Sequence, residues 1–361
     1  MKGPWRPSQS QGINLIDGDQ LRGVADLLRD QSRVTEGRYV ALGVARGDGQ
    51  QTSIAFLDGA RLEAPRRSPV ASITKPITAT AVLQLVEAGT IDLDAEVADY
   101  VPEFHPAPPP GLSRTPPLTV RHVLSHTSGL TDLADEQLTL LEPTPAAMLQ
   151  AMCTARLSFI PGSAFSYASE SFYLLSAIIE RASGLDYPTY LRDRILHPLG
   201  MMATTFDPRE PGPAHLPAQG HFAGPDRPCD EMLEVLIGLA MPGGGLWSTP
   251  DDVLRFGRAW LRDGELDGAR ILEPRSMRQM TDASRTVNDL QTGAPARYGL
   301  GWGLSPGYGA SRSAIAHSGA TGSMLVVDQE NDIVIVCLRN WWGAAMDHTT
   351  EALEAVYRAL S

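Results

Sequence analysis

The sequence predicts an α/β protein of the α+β type: an antiparallel β-sheet flanked by helices, with a mostly helical region inserted into it. Three observations carry that expectation. Strand-like runs lie near both ends of the chain, at Tyr39 to Ala45 and Thr52 to Asp58, and again at Ser323 to Val327 and Ile333 to Arg339. Within each pair the runs are separated by a short polar turn, which reads as a hairpin and therefore as antiparallel pairing. Between the two hairpins, apolar residues recur at helical intervals. One sheet assembled from both termini, with the middle of the chain looping out as helices, satisfies all three. On this reading residues 1–75 form the N-terminal part of the α/β domain, 76–240 the helical insert and 241–361 the C-terminal part.

Ahead of the first hairpin, Asp17 and Asp19 precede Leu21, Val24, Leu27 and Leu28 at helical spacing, so a helix is expected from Asp19 to Ser32. Arg46-Gly47-Asp48 matches an adhesion tripeptide, but glycine and aspartate are what a hairpin turn requires, and it is read as that turn. Ile77, Ala81, Val82, Leu85 and Val86 mark the next helix, which Gly89 stops. Because Pro76 has no N–H to donate, regular hydrogen bonding is expected from Lys75 onward. The run Pro106-Ala-Pro-Pro-Pro-Gly is a surface loop within the helical region. Further helices are expected from Ala146 to Arg156, from Phe172 to Ala182 with a stop at Gly184, and from Pro188 to Leu196. Residues 207–230, rich in proline, glycine and histidine and without periodicity, read as a long loop over a site. Thr249-Pro250-Asp251-Asp252 is a helix start with threonine as N-cap, which makes the two aspartates capping residues rather than a catalytic pair. A helix from His348 to Leu360 closes the chain.

Composition narrows the function. At 361 residues and 43% hydrophobic content the chain can bury a large core, and a formal net charge of −12 leaves no basic footprint for nucleic acid or anionic membrane. The longest apolar runs, such as Ile333 to Leu338, are too short to span a bilayer, and the first ten residues lack an apolar core, so a cytoplasmic protein acting on a small molecule is expected. Cys153, Cys229 and Cys337 are too scattered for a disulfide framework or a zinc site. His122 and His126 lie one helical turn apart, but without a glutamate between them or a third ligand nearby they read as hydrogen-bonding residues around the Thr127-Ser128-Gly129 turn; no metal and no cofactor are expected. Gly243-Gly-Gly245 is followed by no lysine and reads as structural rather than as a phosphate cradle.

Ser72 and Lys75, in Val70-Ala-Ser-Ile-Thr-Lys-Pro, share one face of a helix start. A hydroxyl beside an amine pairs a nucleophile with a base. The chain holds 28 arginines and only two lysines, Lys2 and Lys75. Arginine serves wherever a fixed charge is needed, whereas only lysine offers an amine whose pKa falls usefully on burial. The single internal lysine is therefore a chemical candidate.

Ser72-Ile-Thr-Lys75, Leu124-Ser-His-Thr-Ser-Gly-Leu130, Tyr167 in a turn before a helix, Gly243-Gly-Gly-Leu-Trp-Ser-Thr-Pro-Asp-Asp252 and His317-Ser-Gly-Ala-Thr-Gly occur in one order. Together they resemble the serine β-lactamase-like superfamily, on the branch of class C β-lactamases, family VIII carboxylesterases and D-aminopeptidases. The resemblance spans roughly residues 40 to 340 and implies a β-lactamase/transpeptidase-like fold. It further implies an acyl-enzyme on Ser72, Lys75 or Tyr167 as base, catalytic His317, and an oxyanion hole from the backbone amides of Ser72 and Ala320. Ser169, Ser318 and Gly319 would bind substrate. As a base, Tyr167 needs a cation to stabilise its phenolate, and Lys75 is the obvious one.

Two departures matter. Tyr167-Ala168-Ser169 stands where the penicillin-recognising pattern has Tyr-x-Asn, and a serine cannot donate and accept as an amide does. His317-Ser318-Gly319 stands where the pattern has Lys-Thr-Gly, and a mostly neutral histidine holds a carboxylate less well, unless Arg312 or Arg339 restores that charge. Both point away from β-lactams and D-Ala-D-Ala peptides. The expected function is a serine hydrolase, carboxylesterase or acyltransferase-like, acting on a small ester. The alternatives are a D-aminopeptidase or D-amino-acid amidase, and, in another class, an inactive binding or scaffold protein on the same fold. Tyr308, Trp341 and Trp342 are candidate pocket aromatics or plain core and surface residues.

Overall fold

The computed structural model describes residues 21–134, 143–222, 228–229, 231–343 and 346–360. Its centre is a seven-stranded sheet in the order Ala60–Arg61, Gln51–Leu57, Tyr39–Arg46, Ile333–Arg339, Ser323–Asp328, Ile315–Gly319, Gly303–Leu304. All its pairings are antiparallel. The two hairpins read from the sequence are thus joined edge to edge, with Val40 opposite Arg339 and Val44 opposite Ile335. Every residue of Ile333–Arg339 is buried, and all but one of Tyr39–Arg46. Both faces are covered, which is why these strands are continuous apolar runs rather than alternating ones. Arg22–Gln31 and Asp347–Leu360 pack one face, through Val24, Leu28, Leu353 and Val356 against Val40, Leu42 and Ile335. Pro250–Leu261 packs the other, where Leu254 and Phe256 meet Val334 and Val336.

The turn holding Arg46-Gly47-Asp48 closes the first hairpin, with the Gly49 amide bonded to the Arg46 carbonyl at 3.1 Å and the Gln50 amide to the Asp48 carboxylate at 2.9 Å. Thr249 caps its helix by accepting from the Asp252 amide at 3.3 Å. The Asp252 carboxylate does more than its capping position implied, because it accepts from the Ala203 amide at 2.7 Å and the Thr204 hydroxyl at 2.9 Å and so ties the helix to the chain before it.

Between the two halves of the sheet the longer regular elements are helices. Thr74–Glu87 is buried on nearly all sides and packs against Phe172–Ser183. It starts one residue before Lys75, and a 3-10 turn over Ala71–Ile73 leads into it. The helix expected from Pro188 to Leu196 is two pieces, Tyr187–Leu191 and a π-helical turn over Arg192–Leu196. Leu233–Leu239 and Pro274–Met280 are helices the sequence pattern did not disclose, each only seven residues long and thus short of two full periods. The expected loop over 207–230 lies partly outside the described residues. Within it, the Leu216 amide bonds the Arg67 carbonyl at 2.9 Å, and Gln219–Gly220 pairs in parallel with Trp341–Trp342. No described helix is long and apolar enough to cross a membrane.

Candidate active site

Ser72 lies in the 3-10 turn, half-buried, held by a network that fixes its backbone. Ala71 before it has φ of 47°, a left-handed conformation that is strained for a residue with a Cβ. The turn is anchored by the Val70 amide on the Leu246 carbonyl at 3.0 Å, by the Thr74 hydroxyl donating to the Ala71 carbonyl at 2.8 Å, and by the Thr321 hydroxyl on the Pro69 carbonyl at 3.2 Å. Gly319, at the end of its strand, lies so close that a Cβ there would sit 2.6 Å from the Val70 carbonyl oxygen. That approach brings Ala320 to the mouth of the same cavity as Ser72. Neither the Ser72 nor the Ala320 amide has an acceptor among the described residues.

Lys75 is wholly buried. Its Nζ lies 3.1 Å from the Ser72 hydroxyl, 3.2 Å from the Ser169 hydroxyl and 2.7 Å from the Gly243 carbonyl oxygen. It also faces the rings of Tyr167 at 4.7 Å and Phe172 at 5.3 Å. Burial lowers its pKa to about 7, against the opposing pull of Asp132 and Glu170. A neutral amine donates twice and accepts once. The Gly243 carbonyl can only accept, so it must take one N–H. With the second N–H on Ser169, the lone pair is left for the Ser72 hydroxyl. Gly243 is glycine for a reason of space: a Cβ there would stand 2.7 Å from the Ser169 carbonyl oxygen and 3.1 Å from Nζ.

Tyr167 exposes 37% of its surface, yet enclosure of its hydroxyl end raises the phenol above 10, with hydrogen bonds to Ser72 and Ser169 pulling the other way. Lys75 meets the ring face, and among the causes of the shift no cation stabilises a phenolate. The phenol of the free protein therefore keeps its proton. Ser169 is held by its own amide, which donates to the Asp132 carboxylate, as does the Glu170 amide at 3.4 Å. Burial, then the neighbouring Asp132, holds Glu170 well above the usual carboxyl range, so this pair keeps a proton at neutral pH.

His317 is buried, its ring 6.3 Å from that of Tyr167. Its Nε2 accepts from the Tyr298 hydroxyl at 2.8 Å, and its Nδ1 donates to the Ser318 carbonyl at 2.8 Å, an assignment fixed by that carbonyl. Burial, and the charge of Lys75, lower its pKa to about 3. His317 and Ser318 line a second cavity of about 310 Å³ together with Tyr167, Tyr298 and Arg297. Arg339 is buried against Gln31 and Thr349, and the exposed Arg312 lines neither cavity; the arginine beside His317 is Arg297.

The cavity holding Ser72 is about 590 Å³ and mostly apolar, walled by Met148, Tyr173, Val235, Leu239, Met241 and Trp342. Asp132 and Glu170 are among its lining residues, and no arginine or lysine is among the described residues lining it. Of the pocket aromatics expected from the sequence, Trp342 lines this cavity, Tyr308 lines the second, and Trp341 stacks under Arg38 at 4.8 Å. His122 accepts from the Thr119 amide at 3.2 Å in a capping box, while His126 packs beneath Tyr167. Tyr298, Asp132, Glu170 and the Gly243 carbonyl carry no signal of their own in the sequence, and His126, read there as a hydrogen-bonding residue of the Thr127-Ser128-Gly129 turn, bonds to Ser166 and Ala168. Nothing local marks which way a side chain faces.

A serine and a depressed-pKa lysine beside free backbone amides, on an antiparallel sheet with a helical insert, define a serine hydrolase of the β-lactamase fold. The chain belongs to the Beta-lactamase family, whose model matches residues 29–359. It is 32% identical over 280 residues to Penicillin-binding protein 4 of Amycolatopsis lactamdurans, covering 74% of this chain and 71% of that one. It is 31% identical over 273 residues to Esterase EstB of Burkholderia gladioli, covering 65% and 64%. Among solved structures it resembles EstCE1, a hydrolase with promiscuous acyltransferase activity, with a TM-score of 0.77, 23% identity, and 94% and 97% of the two chains covered.

Proposed function

We propose that this protein hydrolyses a small, neutral ester, or passes its acyl group to another acceptor, through an acyl-enzyme on Ser72. The observation that carries this reading is the buried Lys75 amine, with a pKa near 7, 3.1 Å from the Ser72 hydroxyl at the edge of a large apolar cavity. In the first step Lys75 takes the Ser72 proton as Oγ bonds to the carbonyl carbon. The electron pair of the carbonyl moves to oxygen, where the Ser72 and Ala320 amides stabilise it. Collapse breaks the bond to the alcohol, which leaves with the proton of Tyr167. The Ser169 hydroxyl, bonded to both Lys75 and Tyr167, returns that proton from the lysine ammonium to the phenol. Water or a second alcohol then repeats the sequence in reverse. Lys75, rather than a phenolate, is the base, because the phenol is held protonated. The apolar walls suit an acyl chain, and the lining carboxyls with no facing arginine disfavour an anionic one. Among its relatives Esterase EstB supports the same class, and EstCE1 shares the fold.

Cleavage of D-amino-acid amides is the second reading, and the Asp132–Glu170 pair favours it, since an ammonium group on the substrate would find a counter-charge there. A fluorophosphonate probe followed by peptide mass spectrometry tests the class. Labelling on Ser72, lost in Ser72→Ala, is expected; an unlabelled wild type leaves the fold as a non-catalytic binding protein. Turnover of p-nitrophenyl esters against D-amino-acid amides then separates the two substrates, and a higher kcat/KM on the amides overturns the ester reading.

A further inference from the structure

We infer that His126 is the positioning residue for Tyr167, a reading that rests on the chemistry proposed for Ser72. The backbone carbonyl of His126 accepts from the Ser166 amide at 2.9 Å, and its Nδ1 accepts from the Ala168 amide at 3.2 Å. The residues on either side of Tyr167 are thus both fastened to His126. Tyr167 itself lies on the imidazole ring, centroids 4.2 Å apart and planes inclined by 34°. Phe172 backs the same ring at 5.3 Å, and Tyr298 meets it edge-on at 5.0 Å. The His126 ring therefore sets the height and tilt of the phenol that faces Ser72 and Ser169 and holds the chain after it through Nδ1, while the His126 backbone carbonyl holds the chain before it.

His126 is a poor residue for stability alone. It takes φ of 55°, which few residues with a Cβ adopt, and its buried Nε2 has no partner among the described residues. With Nδ1 accepting, Nε2 carries the proton, so a buried donor goes unsatisfied, which costs stability. Phenylalanine would supply the platform without that orphan but would lose the Ala168 bond. Asparagine would tolerate the backbone and keep an acceptor, but would lose the platform. Histidine is the residue type that combines a flat ring with an acceptor at that point. Burial, and the nearby Lys75, hold the ring neutral, so the platform adds no second positive charge beside the amine.

The test compares His126→Phe and His126→Asn with wild type by two readouts. With the best ester or amide, each variant is expected to lose about 100-fold in kcat with KM within about twofold, since a displacement of about 1 Å costs that much. In protein carrying 13Cζ-tyrosine, with the Tyr167 signal assigned from Tyr167→Phe, both variants are expected to shift or broaden that signal while the buried Tyr39 and Tyr187 signals stay in place. An unmoved Tyr167 signal, or collapse of all tyrosine signals together, overturns the inference: the first denies any hold on the phenol and the second makes His126 a core residue only. Should wild type turn over nothing, the hydrolase reading fails, and the NMR result still decides whether His126 positions Tyr167.

Discussion

Replacing Lys75 by methionine should abolish turnover and yet stabilise the fold, more so in mild acid than in alkali. The amine titrates near 10.5 in the unfolded chain and near 7 when buried. Between those values the unfolded chain binds more protons than the folded one, so wild-type stability rises with pH across that window. Below pH 7 both states are protonated, and the penalty for the buried ammonium levels off at about 5 kcal/mol. By pH 9.5 roughly two thirds of it is gone. Methionine has a similar length and no proton, so the advantage of Lys75→Met over wild type should be about 3 kcal/mol larger at pH 6 than at pH 9.5. The hydrogen bond lost at the Gly243 carbonyl is common to both conditions and cancels. Urea unfolding of the two proteins at both pH values reads this difference directly. In parallel, kcat/KM of wild type should climb about tenfold per pH unit below 7 and flatten above it. A difference under about 1 kcal/mol would mean that Lys75 is an ordinary ammonium, and the assignment of the base would fall with it.

If Tyr167 is a neutral acid, Tyr167→Phe should cost about 100-fold or more on ethyl esters and under about tenfold on p-nitrophenyl esters, whose leaving group needs no proton; equal losses on both would remove that role. Gly243→Ala places a methyl group against the Ser169 carbonyl and Nζ, so the backbone must shift, and the change should lower kcat/KM by about 10- to 100-fold and lower the melting temperature as well; steady-state kinetics beside a thermal melt decides it. Leu239→Trp fills part of the acyl cavity, so the preference for hexanoyl over acetyl esters should fall by about tenfold or more, as competition between the two esters would show. An unchanged ratio places the acyl chain elsewhere.

Much of the architecture is legible locally. Both hairpins, the cap at Thr249, the helix after Ser72 and the stop at Gly184 depend on spacing and turn chemistry within a few residues. The short helix Leu233–Leu239, which walls the acyl cavity, is not legible, because seven residues show too little periodicity and its apolar face is defined by what it meets. Ser72 and Lys75 are readable as a pair from their interval and from the scarcity of lysine. The direction of the lysine's titration follows from its burial, which the sequence alone does not show.

The sequence by itself determined which chemical groups the protein owns and which lie within one helical turn of each other: Ser72 beside Lys75, Ser169 beside Tyr167, two hairpins able to join. The tertiary structure decided what those groups are. It made Lys75 a weak base and Tyr167 a strong-holding acid, turned His317 toward Tyr298, set His126 under Tyr167 and paired Asp132 with Glu170. The physical reason is that desolvation and hydrogen bonding between residues tens to hundreds of positions apart are properties of enclosure, which exists only once the sheet has closed over the insert.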